Sequence, residues 1–330
     1  MRTRWLPVLA LAVLAPVCAE YLWGYDDSTG HPGSLVGNLI IFTPLYGCPA
    51  LLIREVARRR GLGWPGIVLL AAAFGVVEAG LVDQSMFSRD YRDIPYWHDM
   101  ADPTYVAPIG LSIFLAVSFV ANHVIASMAG PIALVEGLAG SRGREPWLGR
   151  PTIVVAALLY AGASALVLQD MFSTEDDHAS AGQLMGAGAV ALLLVAGALR
   201  TGRRPRTQCS GAAPSPWLVG PLTFVVGLGS QLLPPSPLGT DVLLLVYASA
   251  AGAIWWLSGR PGWGRAHPAA VAGGALSAFA IGSFWTEPIG QVTEAEKLGH
   301  NIALLVLVTL AALLAVRRGG ARGSRVSVAG

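Results

Sequence analysis

Residues 58–85 read RRRGLGWPGIVLLAAAFGVVEAGLVDQS, and this stretch decides the fold. Three arginines are followed by Trp64-Pro65, an apolar run, and then Glu78, Asp83 and Gln84 at the far end. About 20 apolar residues match the hydrocarbon thickness of a bilayer. Tryptophan favours the headgroup level, and clustered Lys and Arg stay on the cytoplasmic side. Proline fits a first helical turn, where its missing N–H costs nothing. Residues 64–85 therefore read as a transmembrane helix that starts on the cytoplasmic side.

The same grammar extends over the chain. Spans are expected near 5–23, 35–53, 64–85, 107–128, 151–169, 182–199, 217–233, 240–258, 268–285 and 299–316. The seventh is interrupted by Pro221, Gly227 and Gly229. Every span starting on the Arg side opens with Trp then Pro: Trp5 and Pro7, Trp64 and Pro65, Trp147 and Pro151, Trp217 and Pro221, Trp263 and Pro268. Of the 22 Lys and Arg, only Arg89, Arg92 and Lys297 fall in loops of the opposite side. That side is acidic instead, with Asp26, Asp27, Asp90 to Asp102, and Glu175 to Asp177. The sequence thus predicts an all-α polytopic transmembrane bundle of about ten spans in the cell membrane, with both termini cytoplasmic and the lipid bilayer as its surroundings.

Composition agrees. Of 330 residues, 54% are hydrophobic and 13% charged, with a mean hydropathy of +0.57. A soluble domain carries roughly 25% charged residues. The net charge of +2 gives no indication of nucleic acid. Cys18, Cys48 and Cys209 have no metal-site spacing and no disulfide framework, and they read as small apolar residues. Arg2, Arg4 and Val17-Cys18-Ala19 have the outline of a signal peptide. The aromatic end Tyr21-Leu22-Trp23 and nine further apolar segments favour a retained first span.

The domain reading is a six-span N-terminal part (1–199), a flexible basic cytoplasmic linker (200–216), a four-span C-terminal part (217–316) and a disordered basic tail (317–330). LVDQSMFS at 81–88 and LVLQDMFS at 166–173 match 85 residues apart, as a parallel duplication or as chance among Leu/Val-rich helix ends.

Ionisable groups inside spans mark candidate sites, because an unpaired charge there is expensive. Glu78 is the first of these. A count of 1.5 Å per residue puts it some 10 Å below the outer end of its span. Asp83, Gln84, Glu20, Asp241, His300 and Asn301 lie near the same outer level, as ligand-binding candidates for one outward-facing polar cavity or as solvated helix ends. Asn122 and His123 count as deeper, roughly 15 Å from Glu78, followed by a Gly130-Pro131 break. Arg54, Glu55 and Glu136 fall at the inner interface. In the loop RDYRDIPYWHDMADPTY (89–105), His98, Asp99 and Asp102 have the chemistry for a divalent metal, and the aromatics that of a lid or an interfacial belt.

Residues 43–88, HVIASMAGPIALVE (123–136) and PWLGRP (146–151) resemble an uncharacterised group of actinobacterial multi-pass membrane proteins. That resemblance implies topology and no chemistry. A partial resemblance to the CPBP (CAAX-type) intramembrane glutamate endopeptidases rests on Phe119-x-x-x-His123. Glu78 stands where that family has a Glu pair, but Ala79 and Val82 replace its second Glu and its Arg. His300 stands at its third motif, where position 304 is Leu and the nearby amide is Asn301. This resemblance implies Glu78, His123 and His300 as catalytic residues.

Three functions stay open: transport or small-ligand binding, an intramembrane hydrolase or protease-like enzyme, and a non-catalytic component acting through a protein partner. No nucleotide loop, HExxH, CxxC or nucleophile elbow occurs, which weighs against ATPase, zincin, redox and Ser-hydrolase chemistry. The non-enzyme readings are favoured, and no cofactor is indicated.

Overall fold

The computed structural model describes residues 2–201 and 209–320. The chain is an all-α bundle, and each expected span finds a helix at its position. Seven helices are long and apolar enough to cross a membrane: Pro32–Arg60, Gly63–Val82, Ile113–Arg144, Arg150–Thr174, Ala181–Thr201, Pro237–Leu257 and Glu294–Gly320. Shorter apolar helices at Trp5–Tyr21 and Ala266–Gly282, and a helix at Pro216–Gln231, fill the remaining positions. Below, the helices are counted one to ten in chain order.

Proline governs the local geometry of helices one, two and four. A proline ring clashes with the carbonyl four residues earlier and donates no hydrogen bond, and a widened π turn relieves both problems. Helix one passes Pro16 into a π turn at Val17–Tyr21. Helix two contains one at Thr43–Gly47, around Pro44. Helix four contains one at His123–Ala129, just before Pro131. The expected Gly130-Pro131 break is therefore a bulge inside a continuous helix, with the Gly130 N–H bonding Ile125 O five residues back. Helix three ends in a π turn at Glu78–Val82 with no proline in it.

Several helix ends differ from expectation: helix two runs to Arg60 rather than 53, and helix four to Arg144 rather than 128. Span four starts at Ile113 rather than 107, because residues 105–112 form a small antiparallel hairpin, Tyr105–Val106 with Leu111–Ser112. Gly110 turns it at φ 58°, and Ser112 caps the helix by accepting the Leu115 N–H. Residues 81–88 leave the helix after Val82, whereas 166–173 stay helical as far as Thr174. The paired octapeptides thus have different backbones. Of the five Trp–Pro openings, Pro65, Pro151 and Pro268 sit in the first turn; Pro7 and Pro221 lie inside their helices.

Helix nine is the buried axis of the second half, and its small residues allow close backbone approach. A Cβ on Gly273 would strike Ala312 of helix ten, and one on Gly274 would strike the backbone of helix seven at Gly220 and Phe224. One apolar core joins Cys18 and Leu22 of helix one and Leu134 of helix four to Val219, Ala270, Leu276 and Val308. The parts before and after the linker thus share a core, and the first helix and its C-cap supply Cys18 and Leu22 to it as fully buried residues. Helices five, six and eight instead expose Val154, Leu158, Leu192 and Leu245, as a lipid-facing surface would.

Cys18 and Cys48 are buried and free, and Cys209 is free and half-buried. Residues 202–208 of the expected linker lie outside the described residues. The described part is tied down, with Cys209 N–H bonding Gly259 O and Ala213 N–H bonding Pro261 O. Residues 317–320 of the expected tail continue helix ten, because Arg317 and Arg318 suit a helix C-terminus. Residues 321–330 lie outside the described residues.

Candidate functional site: a carboxylate cluster at four π turns

The four π turns carry or adjoin the same group of polar side chains. Glu20 lies in the first, Tyr46 in the second, Glu78 opens the third and His123 opens the fourth. Such turns recur at functional sites because they re-aim side chains and loosen backbone carbonyls.

Glu78 is 1% exposed, and its Oε2 has no hydrogen-bond partner. The Asp83 and Glu20 carboxylates lie within electrostatic reach of it, and no arginine or lysine is among the groups acting on it. The Tyr46 and Tyr160 phenols are within its electrostatic reach too. Glu20, half-buried, accepts a 2.8 Å hydrogen bond from the Tyr25 hydroxyl. Asp83 is half-buried and accepts the Ser85 N–H at 2.9 Å. A charged carboxylate in a low-dielectric interior needs a partner; Arg92 acts on Asp83, while no arginine or lysine is among the groups acting on Glu78.

An aromatic wall lies directly below. The Phe74 ring is 5.5 Å from the His123 ring, 6.0 Å from Tyr46 and 6.0 Å from Tyr160. Tyr46 stacks on His123 at 6.1 Å. His123 Nδ1 meets the Ser127 hydroxyl at 3.0 Å. Gly75 allows this packing, since a Cβ there would meet His123 Cβ at 3.0 Å. His123 is thus level with Phe74 and Gly75, about one helical turn from Glu78. The expected depth gap was too large because the count for span four began six residues early.

The other candidates fall elsewhere. His300 bridges Tyr21 O at 2.9 Å and the Gly30 N–H at 3.4 Å, while Asn301 donates to Ser283 O at 3.1 Å. Both pin helix ten to the loop after helix one and to the end of helix nine. Gln84 is buried at φ 57° and accepts the Ala179 N–H at 2.7 Å. Asp241 is exposed near the start of helix eight, after its first turn. His98 meets Asp102 at 3.4 Å and Asp90 at 4.0 Å, while Arg89 takes the other oxygen of Asp102 at 2.9 Å. That ion pair holds the exposed Asp102 carboxyl below the usual range. Among the described residues, no group of three or more His, Cys, Asp or Glu is placed to hold a metal ion. Of the sequence candidates, Glu20, Glu78, Asp83 and His123 come together. Tyr25, Tyr46 and Tyr160 were not foreseen; their only signal was aromatic residues inside spans.

The segment between helices three and four folds over the cluster. Ile94, Trp97, Ala101 and Leu115 form its small core, and Trp97 Nε1 donates to Ser88 O at 3.0 Å. Tyr91 faces Asp83. Arg92 pairs with Asp170 at 2.8 Å, fastening the segment to helix five.

At the Arg-rich end a second polar group is fully paired. Arg54, 0% exposed, donates to Glu136 at 3.0 Å, and to the Gly143 and Glu145 carbonyls at 2.7 Å each. Its guanidinium lies 3.2 Å from the centre of the Trp147 ring. Arg58 also binds Glu136 through both oxygens, and Arg59 binds Glu55 at 2.8 Å. Every charge there has a counter-charge, so this group is a clasp holding helices two and four to the loop at 140–148.

A helical bundle with lipid-facing flanks and a buried, uncompensated carboxylate defines a polytopic membrane protein with an intramembrane polar site. The chain belongs to an uncharacterized membrane protein family, whose model matches residues 9–329. No curated protein and no solved structure matches it.

Proposed function

We propose that this protein is an ion-coupled transport protein of the cell membrane, with its Arg-rich end cytoplasmic, and that Glu78 with Glu20 binds the coupling proton or cation. The observation that carries this reading is the Glu78 carboxylate, buried with a free oxygen near other acids and with no arginine or lysine acting on it. Intramembrane acids of this kind mark ion pathways, and interrupted helices next to a polar site are the usual architecture of transporters. The acid-rich mouth faces outward on this reading and raises the local cation concentration.

The test is ion flux in proteoliposomes containing the purified protein. A pH-sensitive dye and a cation-sensitive dye report uptake under an imposed gradient. Wild type should exceed empty liposomes, and Glu78→Gln should fall to the empty-liposome rate. Equal flux in wild type, Glu78→Gln and empty liposomes would sink the proposal.

A second reading, an intramembrane hydrolase, is favoured by His123 lying one turn from Glu78. It lacks its third member, because both His300 nitrogens are engaged by backbone groups. Peptide or lipid ester turnover that disappears in both Glu78→Gln and His123→Ala would decide for it.

A further inference from the structure

The geometry points to a small organic ammonium ion as the ligand of the Glu78 site. This inference rests on the reading of Glu78 as an ion-binding residue and names the class of ion.

Three features select that class. The first is charge: Glu20 and Asp83 act electrostatically on Glu78, and no arginine or lysine acts on it, Arg92 acting on Asp83 instead. A bound cation would supply the missing counter-charge, and the partnerless Glu78 Oε2 offers it an acceptor.

The second is the kind of surface beside the acids. Phe74, Tyr46, His123 and Tyr160 form a continuous set of rings with centroids 5.5 to 6.1 Å apart. Tyr46 and Tyr160 belong both to this wall and to the surroundings of Glu78. Aromatic faces attract alkylammonium ions, which shed water cheaply. A hard metal ion gains little from rings and needs six or more oxygen ligands if it is calcium.

The third is the oxygen inventory. The Tyr25 hydroxyl donates to Glu20 Oε2, and Asp83 Oδ1 accepts the Ser85 N–H. Among the described residues no metal-type cluster forms. The buried acceptor left without a partner, Glu78 Oε2, belongs to the same group as the ring faces, a match for an ammonium group that carries alkyl substituents.

The experiment uses the purified full-length protein in mild detergent. Methylammonium, tetramethylammonium and sodium chlorides are titrated at matched ionic strength, with isothermal calorimetry and thermal unfolding as readouts. The expected result is saturable binding of an organic ammonium ion, at least 10-fold tighter than sodium, with a rise in unfolding temperature. Glu78→Gln, a neutral isostere, should weaken it at least 10-fold. Tyr160→Leu, at a half-exposed position, should weaken it about 5-fold through loss of a ring face. Sodium binding that depends on Glu78, without ammonium binding, would overturn the ligand class and leave the ion-binding reading standing. Absence of Glu78-dependent binding of all three cations would overturn the ammonium inference, and the flux assay then decides whether Glu78 carries a proton instead. Ammonium binding unchanged in both variants would overturn the assignment of the site.

Discussion

Replacing Glu136 by Gln tests the clasp at the Arg-rich end. Glu136 is 7% exposed and is the shared counter-ion of Arg54 and Arg58. Glutamine keeps the shape and removes the charge. Arg54 then retains only Glu55 at 3.5 Å, two carbonyls and the Trp147 face, and Arg58 loses both of its charge-assisted bonds. Breaking a buried ion pair from one side costs about 3–5 kcal/mol, mostly from the charge left uncompensated. Arg59→Gln is the contrast. Its side chain is 38% exposed and pairs with Glu55 within one helix, so its loss should cost about 1 kcal/mol or less. The assay is reversible unfolding of the purified protein in mixed micelles of rising SDS fraction, followed by tryptophan fluorescence. Trp64 and Trp147 lie against the clasp and report on it directly. A Glu136→Gln loss below about 1 kcal/mol, or one no larger than that of Arg59→Gln, would refute the view that this group is held by charge pairing.

Gly274→Ala should destabilise the bundle by about 1–3 kcal/mol by overpacking, since its Cβ would sit 2.8 Å from Phe224 N; the same SDS titration should show no loss for Gly229→Ala, where nothing lies within 4 Å. His300→Ala takes the acceptor from the Gly30 N–H and leaves the Tyr21 carbonyl with only the Gly24 N–H, and should cost about 1–3 kcal/mol, whereas exposed Asp241→Asn should change unfolding by less than about 0.5 kcal/mol. Burial pushes the Asp26 carboxyl above its ordinary 3.8, against the hydrogen bonds from Ser28 and Thr29. A group raised in the folded state binds its proton more tightly there, so its contribution falls as pH rises from 3.8 through the folded value. The unfolding temperature of wild type relative to Asp26→Asn should therefore drop over that window, and a flat difference would contradict the assignment.

The bundle was legible because its signals are local. Arginine clusters, Trp–Pro openings and apolar runs each act within one helix end, and they locate most helix ends to within a few residues. Among the exceptions, the start of helix four mattered most. Residues 105–112 are apolar enough to continue a span, and only the positive φ of Gly110 and the Ser112 cap show the hairpin. That small shift moved His123 away from Glu78 on paper. The π turns were hidden for a related reason. An apolar stripe counted at a constant 100° per residue loses phase where a turn widens, although Pro16, Pro44 and Pro131 inside long apolar runs were a usable hint. Glu78 was readable as an acid in a span. Its neighbours Glu20, Tyr46 and Tyr160 come from three other helices, and no spacing rule relates positions that meet only through tertiary packing. His300 looked like chemistry and proved to be a fastener, because its two backbone partners lie some 270 residues away.

The Arg54–Glu136 bond also sets an order of events during synthesis. Its two ends are 82 residues apart, a gap that takes about 4–16 s to translate at about 5–20 residues per second. For those seconds helix two carries an arginine paired with the adjacent Glu55 and not yet with Glu136. Helix two is therefore expected to be fastened to its place in the bundle only once helix four has emerged.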